Sequence, residues 1–127
     1  MNFLDAVVTD RMTLKGGMFE LNITDRIKKI IKDNNLIGKE IVSGIRPEDL
    51  EDSNFVQNIP ANSTITANVE VTEPMGSEIY VYVDIEGILV TARVNPRSKF
   101  RSGEKVILYV DINKIHLFDK KTEEAYI

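Results

Sequence analysis

Between Ile65 and Val94 the chain alternates apolar and polar side chains almost without a break, and no other feature restricts the fold as much. Ile65, Ala67, Val69 and Val71 alternate with Thr66, Asn68 and Glu70. After Pro74-Met75-Gly76-Ser77, the pattern resumes with Ile79, Val81, Val83 and Ile85 against Glu78, Tyr80, Tyr82 and Asp84. Glu86-Gly87 supplies a tight reversal, and Ile88, Val90, Ala92 and Val94 then oppose Leu89, Thr91 and Arg93. Side chains of an extended strand point alternately to opposite faces, so each run predicts a strand with one buried face. Three such strands joined by short turns predict an antiparallel meander. Val106, Leu108 and Val110 predict a fourth strand and Lys114 to Phe118 a fifth. Five strands in so short a stretch suit a small closed or nearly closed barrel, which also hides strand edges.

The first fifty residues read differently. Leu4 to Thr9, Met12 to Lys15 and Met18 to Ile23 predict strands, with Gly16-Gly17 as a turn. Ile23, Ile27, Ile30 and Ile31 fall on one helical face, with Thr24 as N-cap, Asp25 near the positive helix end and Asn34-Asn35 as terminator. Glu40 to Ile45 returns to a strand, and Pro47-Glu48-Asp49 suits a first helical turn. Residues 51–63 read as a polar surface connection. The fold class is mainly β, a small barrel with an additional strand-rich N-terminal portion and one short helix. The 127 residues fit one domain, with residues 1–50 holding strands, helix and the Arg46-Pro47-Glu48-Asp49 segment, and residues 64–119 the barrel meander.

Several chemistries are excluded. With no cysteine and only His116, disulfides, thiolate metal sites and histidine clusters within one chain cannot form. No phosphate-binding loop and no G-x-G-x-x-G segment is present. His116 alternates with Ile115 and Leu117, and nothing in the spacing gives it a nucleophile and an orienting acid. The pairs Glu48-Asp49, Glu51-Asp52 and Glu123-Glu124 read as solvated surface, since neighbouring carboxylates point in different directions. The formal charge of −4 disfavours nucleic-acid binding. One stretch runs against it: Arg93, Arg97, Lys99, Arg101 and Lys105 are opposed by Glu104 alone. That patch reads either as a solvated loop or as a surface for an acidic partner. Tyr80 and Tyr82 share a strand face, where they could stack bases, pack on a second layer or sit in an interface. There is no basic start or apolar core of a signal peptide and no apolar run long enough for a membrane span, so Asn22 and Asn62 in N-x-Ser/Thr sequences read as chance matches.

Several segments together resemble a known family. Met1-Asn2-Phe3-Leu4, Gly44-Ile45-Arg46-Pro47-Glu48-Asp49-Leu50, Glu73-Pro74-Met75-Gly76-Ser77-Glu78, Ala92-Arg93-Val94, Gly103-Glu104-Lys105-Val106 and His116-Leu117-Phe118-Asp119 are similar to segments in the C-terminal extension of ATPase subunits of carbohydrate-uptake ABC transporters. These are importers of the maltose, multiple-sugar and glycerol-3-phosphate type. The resemblance implies an OB-fold-like TOBE domain, non-catalytic and regulatory, which holds two ATPase subunits together as a homodimer. It implies as partners the parent ATPase domain, through it the permease, and a regulatory protein, at the cytoplasmic side of the membrane. It implies no cofactor for this chain, because ATP and magnesium would bind the ATPase portion absent from it. Gly44, Arg46, Pro47, Glu48, Asp49, His116, Phe118 and Asp119 match the family motifs and read as structural. Pro74, Met75, Gly76, Glu78, Tyr80 and Tyr82 are the expected interface. Two other readings stay open: an oxyanion-binding TOBE domain and an oligonucleotide-binding module.

Overall fold

A computed structural model describes all of residues 1–127. Ten strands form two five-stranded antiparallel sheets with one helix. In chain order the strands are β1 (Asn2–Val8), β2 (Thr13–Lys15), β3 (Glu20–Asn22), β4 (Glu40–Ile45), β5 (Leu50–Asp52), β6 (Thr64–Pro74), β7 (Ile79–Ile85), β8 (Ile88–Val94), β9 (Lys105–Val110) and β10 (His116–Asp119); α1 (Asp25–Asp33) lies between β3 and β4. The first sheet has the order β10-β4-β1-β2-β3 and the second β5-β9-β6-β7-β8. The 27 buried apolar residues form one cluster that draws on both sheets and on Ile27 and Ile31 of the helix. A nine-residue helix is marginal on its own, so this packing holds it.

The meander from β6 to β8 forms where alternation placed it. Glu86 and Gly87 both take positive φ, 55° and 81°, the conformation that matches a two-residue hairpin to the twist of its strands.

Five expectations are corrected. The predicted fifth barrel strand begins at His116 and belongs to the other sheet, pairing with β4 through His116↔Gly44 and Leu117↔Ser43. Its place is taken by β5, from the stretch read as a polar connection, which pairs with β9 through Leu50↔Val110. A three-residue strand ending in two acids has too little alternation to read.

The acidic pairs there are not simply solvated either: Asp49 and Asp52 are buried. Val71 does not share a face with Ile65, Ala67 and Val69. The register shifts between Val69 and Val71, an extra residue that turns Val71 outward opposite Tyr82. Finally, Thr24 precedes the helix as expected, but its side chain makes no cap hydrogen bond, and its hydroxyl is buried without a partner.

The second sheet curls until its edges approach each other, and side chains bridge the gap. Glu51 Oε1 accepts from Asn95 N at 2.8 Å, and Ser98 Oγ donates to Asp52 Oδ2 at 2.8 Å. Asn2 joins the two sheets: its side-chain amide donates to Thr91 O at 2.8 Å and accepts from Thr91 N at 2.9 Å, taking the place of a neighbouring strand on the edge of β8.

Candidate docking surface

The β6–β7 hairpin carries the expected interface. Met75 N donates to Glu78 O at 2.8 Å, and Gly76 adopts φ 88°, so the turn lies over residues 75–78 while Pro74 ends β6. Proline cannot donate to a ladder, so its position blunts this end of the strand against further pairing. Met75 is 52% exposed. Beyond the hairpin the cross-strand partners define an outward face: Val71, Tyr82 and Thr91 form one row, and Glu73, Tyr80 and Arg93 the next. Arg93 Nε lies 3.4 Å from Glu78, which ties β8 to the hairpin base. Tyr80 and Tyr82 are half-buried, Val71 is 53% exposed and Leu89 on β8 is 62% exposed. The structure therefore brings Pro74, Met75, Gly76, Glu78, Tyr80 and Tyr82 to one end of the second sheet and adds Val71, while Leu89, opposite Asp84, lies on the same face toward the Glu86-Gly87 turn at the other end. Val71 was hidden from sequence reasoning because the bulge reverses the parity of the strand.

The family-motif residues gather elsewhere. On the outer face of the first sheet, His116, Gly44 and Phe3 share one cross-strand row, and Phe118, Val42 and Asp5 the next. Phe3 and Phe118 meet edge to face with centroids 5.6 Å apart. A Cβ on Gly44 would lie 2.5 Å from Met1 Sδ and 2.7 Å from Phe118 Cε2, so only glycine lets these side chains close over the sheet.

Asp119 organises the segment that follows. Its Oδ1 accepts from Lys121 N and Thr122 N, and its Oδ2 from the Tyr126 hydroxyl, each at 2.8 Å. These bonds, led by the one from Thr122 N, hold the Asp119 carboxyl down to about 2. The hydrogen bond to Asp119 raises the Tyr126 phenol in turn. Tyr126 N donates to Leu117 O, and Phe118 pairs with Ala125, so residues 119–126 cover the free edge of β10.

Arg46 and Glu48 are exposed, the first just before and the second within a 3-10 turn over Pro47–Asp49. Burial raises the Asp49 carboxyl, partly offset by the Lys114 ammonium 3.9 Å away, and Asp49 O accepts from Asp111 N at 3.0 Å. His116 Nδ1 lies 3.3 Å from Ile127 O. No group of three or more potential ligands is placed to hold a metal. Apart from the exposed Arg46 and Glu48, the motif residues thus gather at the junction of β4, β10 and the Pro47–Asp49 turn.

Sequence reasoning missed the bridges Asn2–Thr91, Glu51–Asn95 and Asp52–Ser98, and a contact in which Glu86 accepts from Met18 N across the sheets. Each joins residues far apart in the chain, so no local spacing signals it.

Against known proteins, a family model described as TOBE domain matches residues 43–118, and one described as MalK OB fold domain matches residues 1–50. Among curated proteins, the chain is 36% identical over 98% of its length to the trehalose/maltose import ATP-binding protein MalK of Thermococcus litoralis, covering 34% of that protein. It is 37% identical over 97% of its length to the oligosaccharides import ATP-binding protein MsmX of Bacillus subtilis, covering 33% of it. It is 34% identical to the multiple sugar-binding transport ATP-binding protein MsmK of Streptococcus mutans, over 98% of this chain and 33% of that one. The chain spans about a third of the length of these relatives. Among solved structures, the molybdate-binding protein ModG aligns with a TM-score of 0.65 and 16% identity over 91% of this chain and 94% of that one, a likeness of fold. No helix is long and apolar enough to cross a membrane. The MalK OB fold model spans residues 1–50, which supply β1 to β4 of the first sheet. With the TOBE domain model spanning residues 43–118, more than half of the 127, the chain belongs to the TOBE domain family.

Proposed function

We propose that this chain is a non-catalytic regulatory and dimerisation domain of the ATP-binding subunit of a carbohydrate-import ABC transporter. The names of the relatives support the class of parent protein. The observation that carries the dimerisation role is the outward face of β6, β7 and β8. Val71, Tyr80 and Tyr82 lie there beside a hairpin that presents Met75, and Leu89 lies farther along the same face. Tyrosine and methionine are enriched in interfaces, and a twofold contact uses the same patch on both copies. ATP and magnesium bind another part of the parent subunit, which contacts the permease at the cytoplasmic side of the membrane. The partners of this domain are its twin, the parent ATPase domain and a regulatory protein.

An interface of order 1,000 Å² gives a weak dimer when the domain is free, because the parent subunit raises the effective concentration of one copy for the other. Sedimentation velocity over about a hundredfold concentration range should show a reversible monomer–dimer equilibrium, weakened by Tyr82→Glu. A chain that stays monomeric at the highest concentration contradicts self-association of the domain. A dimer indifferent to Tyr82→Glu moves the interface elsewhere. Purified chain with ATP and magnesium should release phosphate at the rate of buffer alone, and release that scales with the protein through re-purification refutes the non-catalytic assignment.

A further inference from the structure

The loop between β8 and β9 is bolted to the body of the molecule although it has no regular structure. At its start, Asn95 N donates to Glu51, and Asn95 Oδ1 accepts from Arg97 N at 2.8 Å. In its middle, Ser98 is buried and donates to Asp52, which is 2% exposed and also accepts from Asn54 N. Phe100 packs against the core. At its end, Ser102 Oγ donates to Glu70 O, and Gly103 N to Val69 O, both at 2.8 Å.

This anchoring sorts the side chains. Ser98 and Phe100 turn inward, whereas Arg97, Lys99 and Arg101 are exposed. A turn closed by Ser98 N donating to Asn95 O precedes this stretch, and one closed by Glu104 N donating to Arg101 O follows it. Between them the inward Ser98 and Phe100 leave Lys99 and Arg101 outward, and with Arg97 exposed on the first turn they form a strip of three cations. Lys105, exposed at the start of β9, lies beyond the second turn. None of the four takes part in any of the six ion pairs within the chain, although acidic residues outnumber basic ones, 20 to 16.

We propose that this strip is a docking site for an extended acidic segment of a partner protein that carries carboxylates at alternate positions. Alternate carboxylates of an extended segment project to one side, so all of them can face the cations at once. The order of the loop is already set by its anchors, so binding costs little loop entropy. The overall charge of −4 favours a short acidic segment over a nucleic acid or an anionic membrane. A long polyanion or a charged plane also meets the negative remainder of the molecule, whereas a short segment stays within about one Debye length, ~10 Å at 0.1 M salt, of the strip.

The test is titration of isotope-labelled chain with the capped peptide Gly-Glu-Thr-Glu-Thr-Glu-Gly at low ionic strength, followed by amide chemical shifts. Exposed ion pairs are individually weak, so half-saturation on the order of 1 mM is expected. The shifts should be confined to residues 97–105. An isomer with its three glutamates consecutive should bind several-fold more weakly, and Arg97→Gln with Arg101→Gln, both at exposed positions, should abolish the shifts. Their absence at about ten times that concentration overturns the proposal, as does equal affinity for the two isomers. Tighter engagement of the loop by a single-stranded oligonucleotide or by anionic vesicles than by the peptide also overturns it.

Discussion

The two sheets were built by the sequence in different ways. In the second, β6, β7 and β8 follow one another through short turns, and each strand pairs with its neighbour in the chain. In the first, β4 lies between β1 and β10, the first and last strands of the chain. Alternation within a segment shows that it is a strand, but it does not show which sheet the strand joins. Pairing of distant strands depends on matching shapes: Gly44 beneath Met1 and Phe118, and Ser43 buried with its hydroxyl donating to Leu4 O at 2.8 Å. The motif segments that looked separate in sequence are the two sides of that match.

One buried cluster nevertheless links both sheets, so the first way to break the comparison is to cut each sheet at its core. Leu117 in β10 and Leu108 in β9 are fully buried. Leu117→Ala and Leu108→Ala should each cost about 2–5 kcal/mol in chemical denaturation. Both should leave one cooperative transition; a second transition in either variant shows that the sheets unfold independently. Gly44→Val crowds Phe118 and Met1 and should cost roughly 1–3 kcal/mol, with chemical shifts changed across β1, β4 and β10 but not in the meander. A similar cost belongs to the second sheet at its closing edge. Asp52→Ala leaves the Ser98 hydroxyl and Asn54 N without their acceptor, a loss of about 1–3 kcal/mol measurable by thermal unfolding.

The smallest effect concerns the segment that covers β10. The Asp119 carboxyl sits at about 2, below its ordinary 3.8. Its contribution is therefore present above about pH 4 and lost as pH falls through about 2. Asp49 runs the other way: its carboxyl is raised, so protonation on acidification favours the folded form there. Amide exchange at Thr122 and Tyr126, read against amides of the meander, should lose protection over the acid range before the meander does. Asp119→Asn should show the same local loss at neutral pH. Equal loss in both regions contradicts a separate role for Asp119.

Much of the fold was legible because period-two runs of Val, Ile and Leu admit one reading, and the hairpin at Glu86-Gly87 follows from its turn residues. The helix was legible from its isoleucine stripe, with Ile27 and Ile31 buried as the spacing required. The assignment of β10 was not, since its four residues gain their partners only when β4 is in place. Nor was β5, whose burial of Asp52 depends on Ser98 from a loop far along the chain. On the candidate surface, Tyr80 and Tyr82 were legible from parity alone. Val71 was not, because a single extra residue in β6 moves it from the core to the outside.

The account rests most heavily on that outward face being the contact between copies. The chain lacks cysteine, so Met75→Cys supplies a single attachment point for a spin label at the exposed hairpin tip. Labelled chain mixed with unlabelled, isotope-enriched chain reports only on contacts between copies. Broadening of the amides of Val71, Tyr80, Tyr82 and Leu89, growing with concentration, is the predicted result. Broadening confined to Phe3, Val42 and Phe118, or none at concentrations where the chain sediments as a dimer, would contradict it.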